Sequence, residues 1–183
     1  MREKSHRFEE YGDSEGLRMY YQTVNWSAFV QQERDDATIA MGTSSIFGEP
    51  KSIADMSAGG AQITPTIANH HGVEPLLGDL GQQYGYSYTG TLQETLPQLP
   101  IVDLYVCSET LEHLVDPDTD LALIRQHCKN LLLTTPVWEE PHMVSHGHLW
   151  TWRIDDVQDM LEKAGFEVMQ RLEVSIFGIF ACK

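Results

Sequence analysis

The stretch IVDLYVCSETLEHLV, from Ile101 to Val115, changes character halfway along. Its first half is apolar and rich in β-branched and aromatic side chains: Ile101, Val102, Leu104, Tyr105 and Val106. A short, nearly continuous apolar run of this kind predicts a strand buried on both faces of a parallel sheet. At Ser108 the polarity turns, and Glu109, Glu112 and His113 arrive within five residues. They would stand just beyond the carboxyl end of the strand, where open α/β sheets bind ligands. Their i, i+3, i+4 spacing puts them on one face of a helical turn. Everything on either side can be read as a scaffold for that point.

Upstream, Ile53 to Met56 predicts a short strand carrying Asp55. Ser57, Ala58, Gly59, Gly60 and Ala61 follow. Small side chains there let backbone N–H groups approach a ligand and lead into a helix N-terminus. Pro65 marks the first turn of that helix or kinks a longer one, and Gly72 is its stop. Glu74–Leu80 then predicts a second strand with Asp79 near its end, 24 residues after Asp55. A Gly-rich turn alone can be a mere connection, and an Asp alone a loop cap. In this order, the carboxylate is placed to read the hydroxyls of a nucleotide ribose. Tyr86–Thr89 suits a third strand.

Downstream, Asp116 and Pro117 form an N-cap and first-turn pair, with Leu121, Ile124 and Cys128 as the helix face that follows. LLLTTPV is a buried strand stopped by Pro136. Residues 138–153 form a polar, aromatic loop in which Trp138, Trp150 and Trp152 are candidates for the wall against an acceptor. Ile154, Val157, Leu161 and Ala164 mark a helix with acids in its first turn and Lys163 in its last. Phe166–Val174 and Ile176–Cys182 suit an antiparallel hairpin ending the sheet. Residues 1–50 read as a separate N-terminal unit, and 51–183 as the main domain. A helix from Asp13 or Ser14, with Leu17, Tyr20, Tyr21, Val24 and Ala28 at helical spacing, either packs on the domain edge or, through Trp26, acts as a lid. Residues 35–50 read as a loop.

The chain has 183 residues, enough for one domain with a real core. Its 12 basic and 27 acidic residues give a net charge of −15. That field disfavours duplex nucleic acid and anionic membranes as partners. Three cysteines without metal-ligand spacing point to a reduced, cytoplasmic setting. No apolar stretch reaches spanning length, which argues against a membrane protein. Oligomeric state is not legible.

Taken together, residues 50–183 resemble a class I S-adenosylmethionine-dependent methyltransferase. Asp55, Ser57, Gly59 and Ala61 stand where that family has D-x-G-x-G-x-G, with Ser57 and Ala61 replacing two glycines. VDLYVCSETLEHLVDPD resembles its fourth strand and following turn, LLLTTP its fifth strand, and Ala164, Gly165 and Phe166 the approach to its last two strands. The resemblance implies a Rossmann-like α/β fold: a seven-stranded sheet with helices on both faces and strand seven antiparallel. It also implies roles. The turn of Ser57, Ala58, Gly59 and Gly60 would lie against the methionine part of S-adenosylmethionine. Asp79 would hold the ribose hydroxyls, Leu80 and Leu92 would flank adenine, and Ser108 would sit near the methionine moiety. Thr91 stands where an acid commonly binds the adenine amino group, and the segment from Leu80 to Tyr86 is too short for the usual second helix.

The Glu-x-x-Glu-His run is similar to ubiquinone-pathway O-methyltransferases and to small-RNA 3′-terminal 2′-O-methyltransferases. In the latter, that motif and a histidine from a downstream H-x-H-x-aromatic-x-W-like stretch hold a metal. His146, Gly147, His148, Leu149, Trp150, Thr151 and Trp152 are similar to that stretch. The acidic charge argues against RNA, and the resemblance to O-methyltransferases implies a small-molecule acceptor methylated on a hydroxyl. Glu109, Glu112, His113 and His148 are the candidate ligands for a divalent metal such as Mn, Mg, Fe or Zn. Metal-free catalysis, with His113 or His146 as the base, stays open beside it, as do nitrogen, carbon, nucleotide or RNA-end acceptors and a catalytically weak binding protein.

Overall fold

The computed structural model describes residues 1–11, 31–144 and 147–183. In chain order the elements are β1 (Glu3–Lys4), α1 (Phe8–Tyr11), α2 (Gln32–Gly42), β2 (Ile53–Asp55), α3 (Ile63–His71), β3 (Leu76–Asp79), β4 (Tyr88–Thr89) and α4 (Leu92–Thr95). They continue with β5 (Val102–Ser108), α5 (Pro117–His127), β6 (Cys128–Pro136), β7 (Trp150–Thr151), α6 (Ile154–Lys163), β8 (Val168–Val174) and β9 (Phe177–Cys182). The main sheet has seven strands in the order β4-β3-β2-β5-β6-β9-β8. Its first five pair in parallel, and β9 runs antiparallel to both β6 and β8. The terminal hairpin therefore inserts its last strand between β6 and β8. This is the Rossmann-like α/β sheet expected, with the seventh strand reversed.

The apolar runs are continuous because both sheet faces are covered. On β5, Tyr105 and Cys107 face one cluster with Leu121 and Ile124 of α5 and Val157 and Leu161 of α6. Leu104 and Val106 face the other, with Met41 of α2 and Ile63, Ile67 and Ala68 of α3. Leu131 and Leu133 against Leu132 on β6, and Phe180 and Cys182 against Ile179 and Ala181 on β9, divide in the same way. Alternate side chains on a pleated strand point to opposite faces, so helices on both sides require apolar residues at every position.

Local signals end these elements as their chemistry dictates. Gly72 caps α3 at φ +67°, a left-handed conformation that glycine enters without penalty. The Asp116 carboxylate accepts from the Thr119 N–H at 3.2 Å, and Pro117 opens α5.

Two expectations need correction. Part of the 35–50 stretch read as loop belongs to α2. The buried residues of that helix are Arg34, Thr38, Met41 and Gly42, so its inward face is mostly polar or small and carries little apolar periodicity. Gly42 allows close packing there: a β-carbon would come within 2.5 Å of Ile67 Cδ1. Cys128, read as a helix-face residue, opens β6 instead. The helix expected from Asp13 or Ser14, with Trp26, lies outside the described residues. Residues 3–4 form a separate two-stranded ribbon with β7, tying the start of the chain to the main domain. Among the described residues no helix is long and apolar enough to cross a membrane.

Candidate active site

A cleft of about 470 Å³ opens across the carboxyl ends of the parallel strands. Ser57, Ala58, Gly59 and Gly60 line it from the turn after β2, Asp79 and Leu80 from β3, and Thr91 and Leu92 from the segment after β4. Ser108, Glu109 and His113 line it beyond β5, and Glu139 and His148 beyond β6. Ile176 and Phe177 close the far wall with Pro136, and Arg34 reaches in from α2. The structure thus gathers every residue assigned to the cofactor by resemblance except Asp55, which lies beneath the floor.

Asp55 organises the Gly-rich turn. Its Oδ1 accepts from the Ser57 N–H at 2.9 Å and its Oδ2 from the Thr64 hydroxyl at 2.7 Å, joining the turn to α3. Burial pushes its pKa up to about 6. The Thr110 hydroxyl donates to Ser57 Oγ at 2.8 Å, bridging the turns after β2 and β5. Above the turn, the Tyr86 hydroxyl donates to the Gly59 carbonyl at 2.7 Å, and Tyr84 stacks on Tyr86. A β-carbon on Gly60 would meet the Tyr84 ring at 3.1 Å. Sequence reading assigned neither tyrosine to the site and put Tyr86 in a strand that begins only at Tyr88. The only available signal was two aromatic residues in a connection too short for a helix.

Asp79 has one oxygen in use, accepting from the Leu80 N–H at 2.6 Å. Its other oxygen is buried without a hydrogen-bond partner among the described residues, and burial raises its pKa. Thr91 is committed to the helix cap: its hydroxyl accepts from the Glu94 N–H at 3.3 Å, while Glu94 accepts from the Thr91 N–H at 2.8 Å. A second acid absent from the sequence reading faces this end of the cleft. Asp120 of α5 accepts a hydrogen bond from Gln93, and burial pushes its pKa up to about 6.

Beyond β5 the expected single helical face does not form. Only Leu111–His113 is helical, as one 3₁₀ turn, and Glu109 precedes it at φ +53°. That left-handed residue swings Glu109 away from Glu112 and His113. Its carboxylate pairs with Arg34 at 3.1 Å and accepts from the Thr134 hydroxyl at 3.1 Å. Glu112, His113 and His148 do come together, each with a ligand atom within 4.8 Å of the others'. Glu112 is 1% exposed; its Oε2 accepts from the Thr135 hydroxyl at 2.9 Å, and its Oε1 has no hydrogen bond among the described residues. That oxygen lies 3.9 Å from Nε2 of both histidines. Burial, then the charge of Glu109, pushes the Glu112 pKa up to about 8.

The histidines differ. His113 Nδ1 lies 2.9 Å from the Gly147 carbonyl, which can only accept, so Nδ1 carries the proton and Nε2 the lone pair. Burial, reinforced by His148, holds the His113 pKa well below the usual imidazole range. For His148, burial opposes charging. The Glu139 carboxylate, 2.6 Å from Nδ1, together with the other carboxylates nearby, outweighs it and raises the pKa. His146 lies outside the described residues.

His148 stands on a loop, and distant segments fix it there. The Leu149 N–H donates to the Glu112 carbonyl at 2.7 Å. On the other side, the buried Ser5 hydroxyl donates to the His148 carbonyl at 2.5 Å, and the Ser5 N–H to the Leu149 carbonyl at 2.8 Å. The three tryptophans do not line the cleft. Trp138 is 52% exposed and donates to Glu173, Trp150 packs edge-on against Phe8, and Trp152 is buried in the core.

No protein-family model matches the chain, and no curated protein matches its sequence. Solved structures share its fold. The 1,6-didemethyltoxoflavin-N1-methyltransferase of Burkholderia thailandensis, with bound 1,6-didemethyltoxoflavin and S-adenosylhomocysteine, superposes with a TM-score of 0.69 at 13% identity. That match covers 98% of this chain and 90% of that one. Human N-acetylserotonin methyltransferase in complex with S-adenosylmethionine gives 0.63 at 14% identity over 96% of this chain, which spans 58% of the human chain. The N-terminal domain of EvdMO1, in the presence of S-adenosylhomocysteine and D-fucose, gives 0.57 at 15% identity, covering 83% and 82%. At such identities the likeness is one of fold.

Proposed function

We propose that the chain is an S-adenosylmethionine-dependent methyltransferase acting on a hydroxyl of a small molecule, with a divalent metal held by Glu112, His113 and His148. The observation that carries this reading is a single cleft running from the Gly-rich turn and Asp79 to the histidines. Donor-binding and acceptor-activating groups share one cavity.

The chain's own atoms fit the cofactor. The unpartnered Asp79 oxygen is a buried acceptor that two ribose hydroxyls would satisfy. The small side chains from Ser57 to Gly60 leave backbone N–H groups accessible to a carboxylate. Bound there, the sulfonium supplies an electrophilic methyl carbon. What the protein adds is position, since an in-line acceptor accounts for much of the acceleration in such transfers.

The donor set likewise fits a cation. Glu112 Oε1 lacks a hydrogen bond among the described residues, the Gly147 carbonyl orients His113 through Nδ1, and Glu139 orients His148 through Nδ1 as outer-shell carboxylates do for ligating imidazoles. Carboxylate with imidazole suits Mn, Fe or Zn, whereas Mg keeps more water. A cation there would lower the pKa of an acceptor hydroxyl. Glu109 is engaged instead with Arg34 and Thr134, outside this set. A metal-free reading is favoured by one observation, the 2.6 Å Glu139–His148 pair, which equips His148 to accept the hydroxyl proton. Manganese dependence of turnover separates the two.

The test of the donor site is calorimetry with S-adenosylhomocysteine. Asp79→Ala removes charged hydrogen bonds worth about 1.5–3 kcal/mol each, so affinity should fall at least about tenfold. Unchanged affinity would place the ribose elsewhere. For the metal, crystals soaked in manganese should show an anomalous peak between Glu112 and the two histidines; with the cofactor site full and no peak there, the metal-free reading stands.

A further inference from the structure

We propose that Tyr86 is a positioning residue for the cofactor: its hydrogen bond to the Gly59 carbonyl fixes the Gly59–Gly60 peptide, so that the Gly60 N–H faces the cleft and receives the methionine carboxylate. The inference rests on the cofactor reading above and adds to it the group that sets the turn.

The amides of the turn fall into two kinds. The Ser57 N–H donates to Asp55, the Ala58 N–H to the Gly78 carbonyl at 3.0 Å, and the Ala61 N–H to the Ala58 carbonyl at 3.2 Å. Between them, the Gly59 and Gly60 N–H groups make no hydrogen bond among the described residues, and both glycines line the cleft. Gly59 is left-handed, at φ +52°. Successive amides beside a left-handed residue form a concavity that takes an anion. A peptide between two glycines is also the freest in the turn, since neither residue has a β-carbon to bar rotation. Without a brace it can turn over.

Tyr86 supplies that brace. Its hydroxyl donates to the Gly59 carbonyl at 2.7 Å, and Tyr86 itself is not among the residues lining the cleft. In a planar trans peptide the C=O and the following N–H point in opposite directions. A carbonyl held toward Tyr86 therefore aims the Gly60 N–H toward the cleft that Gly60 lines. The same bond polarises the peptide and strengthens that N–H as a donor. With the peptide turned over, a carbonyl oxygen would face the carboxylate and repel it. The clasp and the turn also fit each other. Tyr84 stacks on Tyr86 with ring centroids 5.7 Å apart, and a β-carbon on Gly60 would press on the Tyr84 ring at 3.1 Å. Burial, then the charges of Asp55 and Asp79, hold the Tyr86 pKa above the usual phenol value, so its hydroxyl keeps the proton it donates.

The measurement is calorimetry with S-adenosylhomocysteine and with its decarboxylated counterpart, which keeps the amine and lacks the carboxylate. The wild type should prefer S-adenosylhomocysteine by about 10- to 100-fold. Tyr86→Phe keeps the ring and its stacking and removes only the donor. It should weaken S-adenosylhomocysteine by about 3- to 10-fold and leave the decarboxylated ligand within about twofold, so that the preference narrows. Asp79→Ala should weaken both ligands alike and preserve the preference. A preference that Tyr86→Phe leaves unchanged, whether both ligands weaken equally or neither does, overturns the inference and leaves the cofactor reading intact. So does a wild type that binds both ligands equally well. If neither ligand binds the wild type, the cofactor reading falls and this inference with it.

Discussion

At the end of the cleft proposed to hold the methyl donor, Asp55 holds the Gly-rich turn through Ser57 and Thr64, partners two and nine residues away. At the end proposed for the acceptor, His148 is held by Ser5, 143 residues away, and by Glu139, while the Gly147 carbonyl next to it engages His113 from 34 residues away. The first half is built by a strand passing directly into a turn and a helix. The second is a loop whose shape is imposed by segments that meet only once the chain has folded. A site of local contacts tolerates distant changes. One assembled from long-range bonds can lose its geometry while the sheet stays intact, because local opening is governed by local contacts.

The sharpest break of this contrast is Glu112→Ala. On the proposed metal reading it removes the central ligand of the Glu–His–His cluster, so manganese affinity should fall about 10³-fold, ~4 kcal/mol. Affinity for S-adenosylhomocysteine should stay within about twofold, since the ribose and turn contacts are untouched. Calorimetric titration of both ligands decides it; equal losses of both would mean that the two ends are not independent.

Asp55 tests the donor half through stability. Its pKa stands at about 6 in the folded chain against an ordinary 3.8, chiefly from burial. Protons are therefore held more tightly folded than unfolded. Stability from this group is full below pH 4 and is lost as pH rises through about 6. The difference corresponds to about 3 kcal/mol. Chemical denaturation from pH 4 to 7 should show the wild type losing about that much relative to Asp55→Asn, which cannot ionise. A constant gap between the two would mean that the carboxylate is ionised at ordinary cost.

The smallest effect expected comes from Ser5→Ala. A hydrogen bond of this kind contributes about 0.5–1.5 kcal/mol, so manganese affinity should weaken by about 2- to 12-fold, with cofactor affinity unmoved. Hydrogen exchange at the Leu149 N–H, bonded to Glu112, should accelerate while the β5 and β6 amides keep their protection. Restoration by Ser5→Thr would separate loss of the hydroxyl from loss of packing. If exchange at Leu149 does not change, the N-terminal strand is not what fixes His148.

Much of the donor half was legible because its signals are adjacent in the chain. Asp55, the small residues after it, and Asp79 one strand later are spaced by the length of a strand–turn–helix unit, and the sheet returns them to one edge. The terminal hairpin was equally readable from two β-rich runs separated by a tight turn. Helix α2 was not, because its buried face holds Arg34 and Thr38 instead of an apolar stripe. The Glu109, Glu112 and His113 spacing was read on the premise of a regular helix. The positive φ at Glu109 broke that premise and delivered its carboxylate to Arg34.

The sequence by itself determined the alternation of strands and helices, the reversed last strand, and the acids at the strand ends. Each is encoded by periodicity, turn chemistry or short-range spacing. Only the tertiary structure decided that Ser5 braces His148, that Glu139 and Glu112 flank it, that Tyr86 clasps Gly59, and that Asp120 turns toward the cleft. Those pairings join segments between 9 and 143 residues apart. Even the nearest of them crosses an irregular loop, where sequence spacing sets no direction for a side chain.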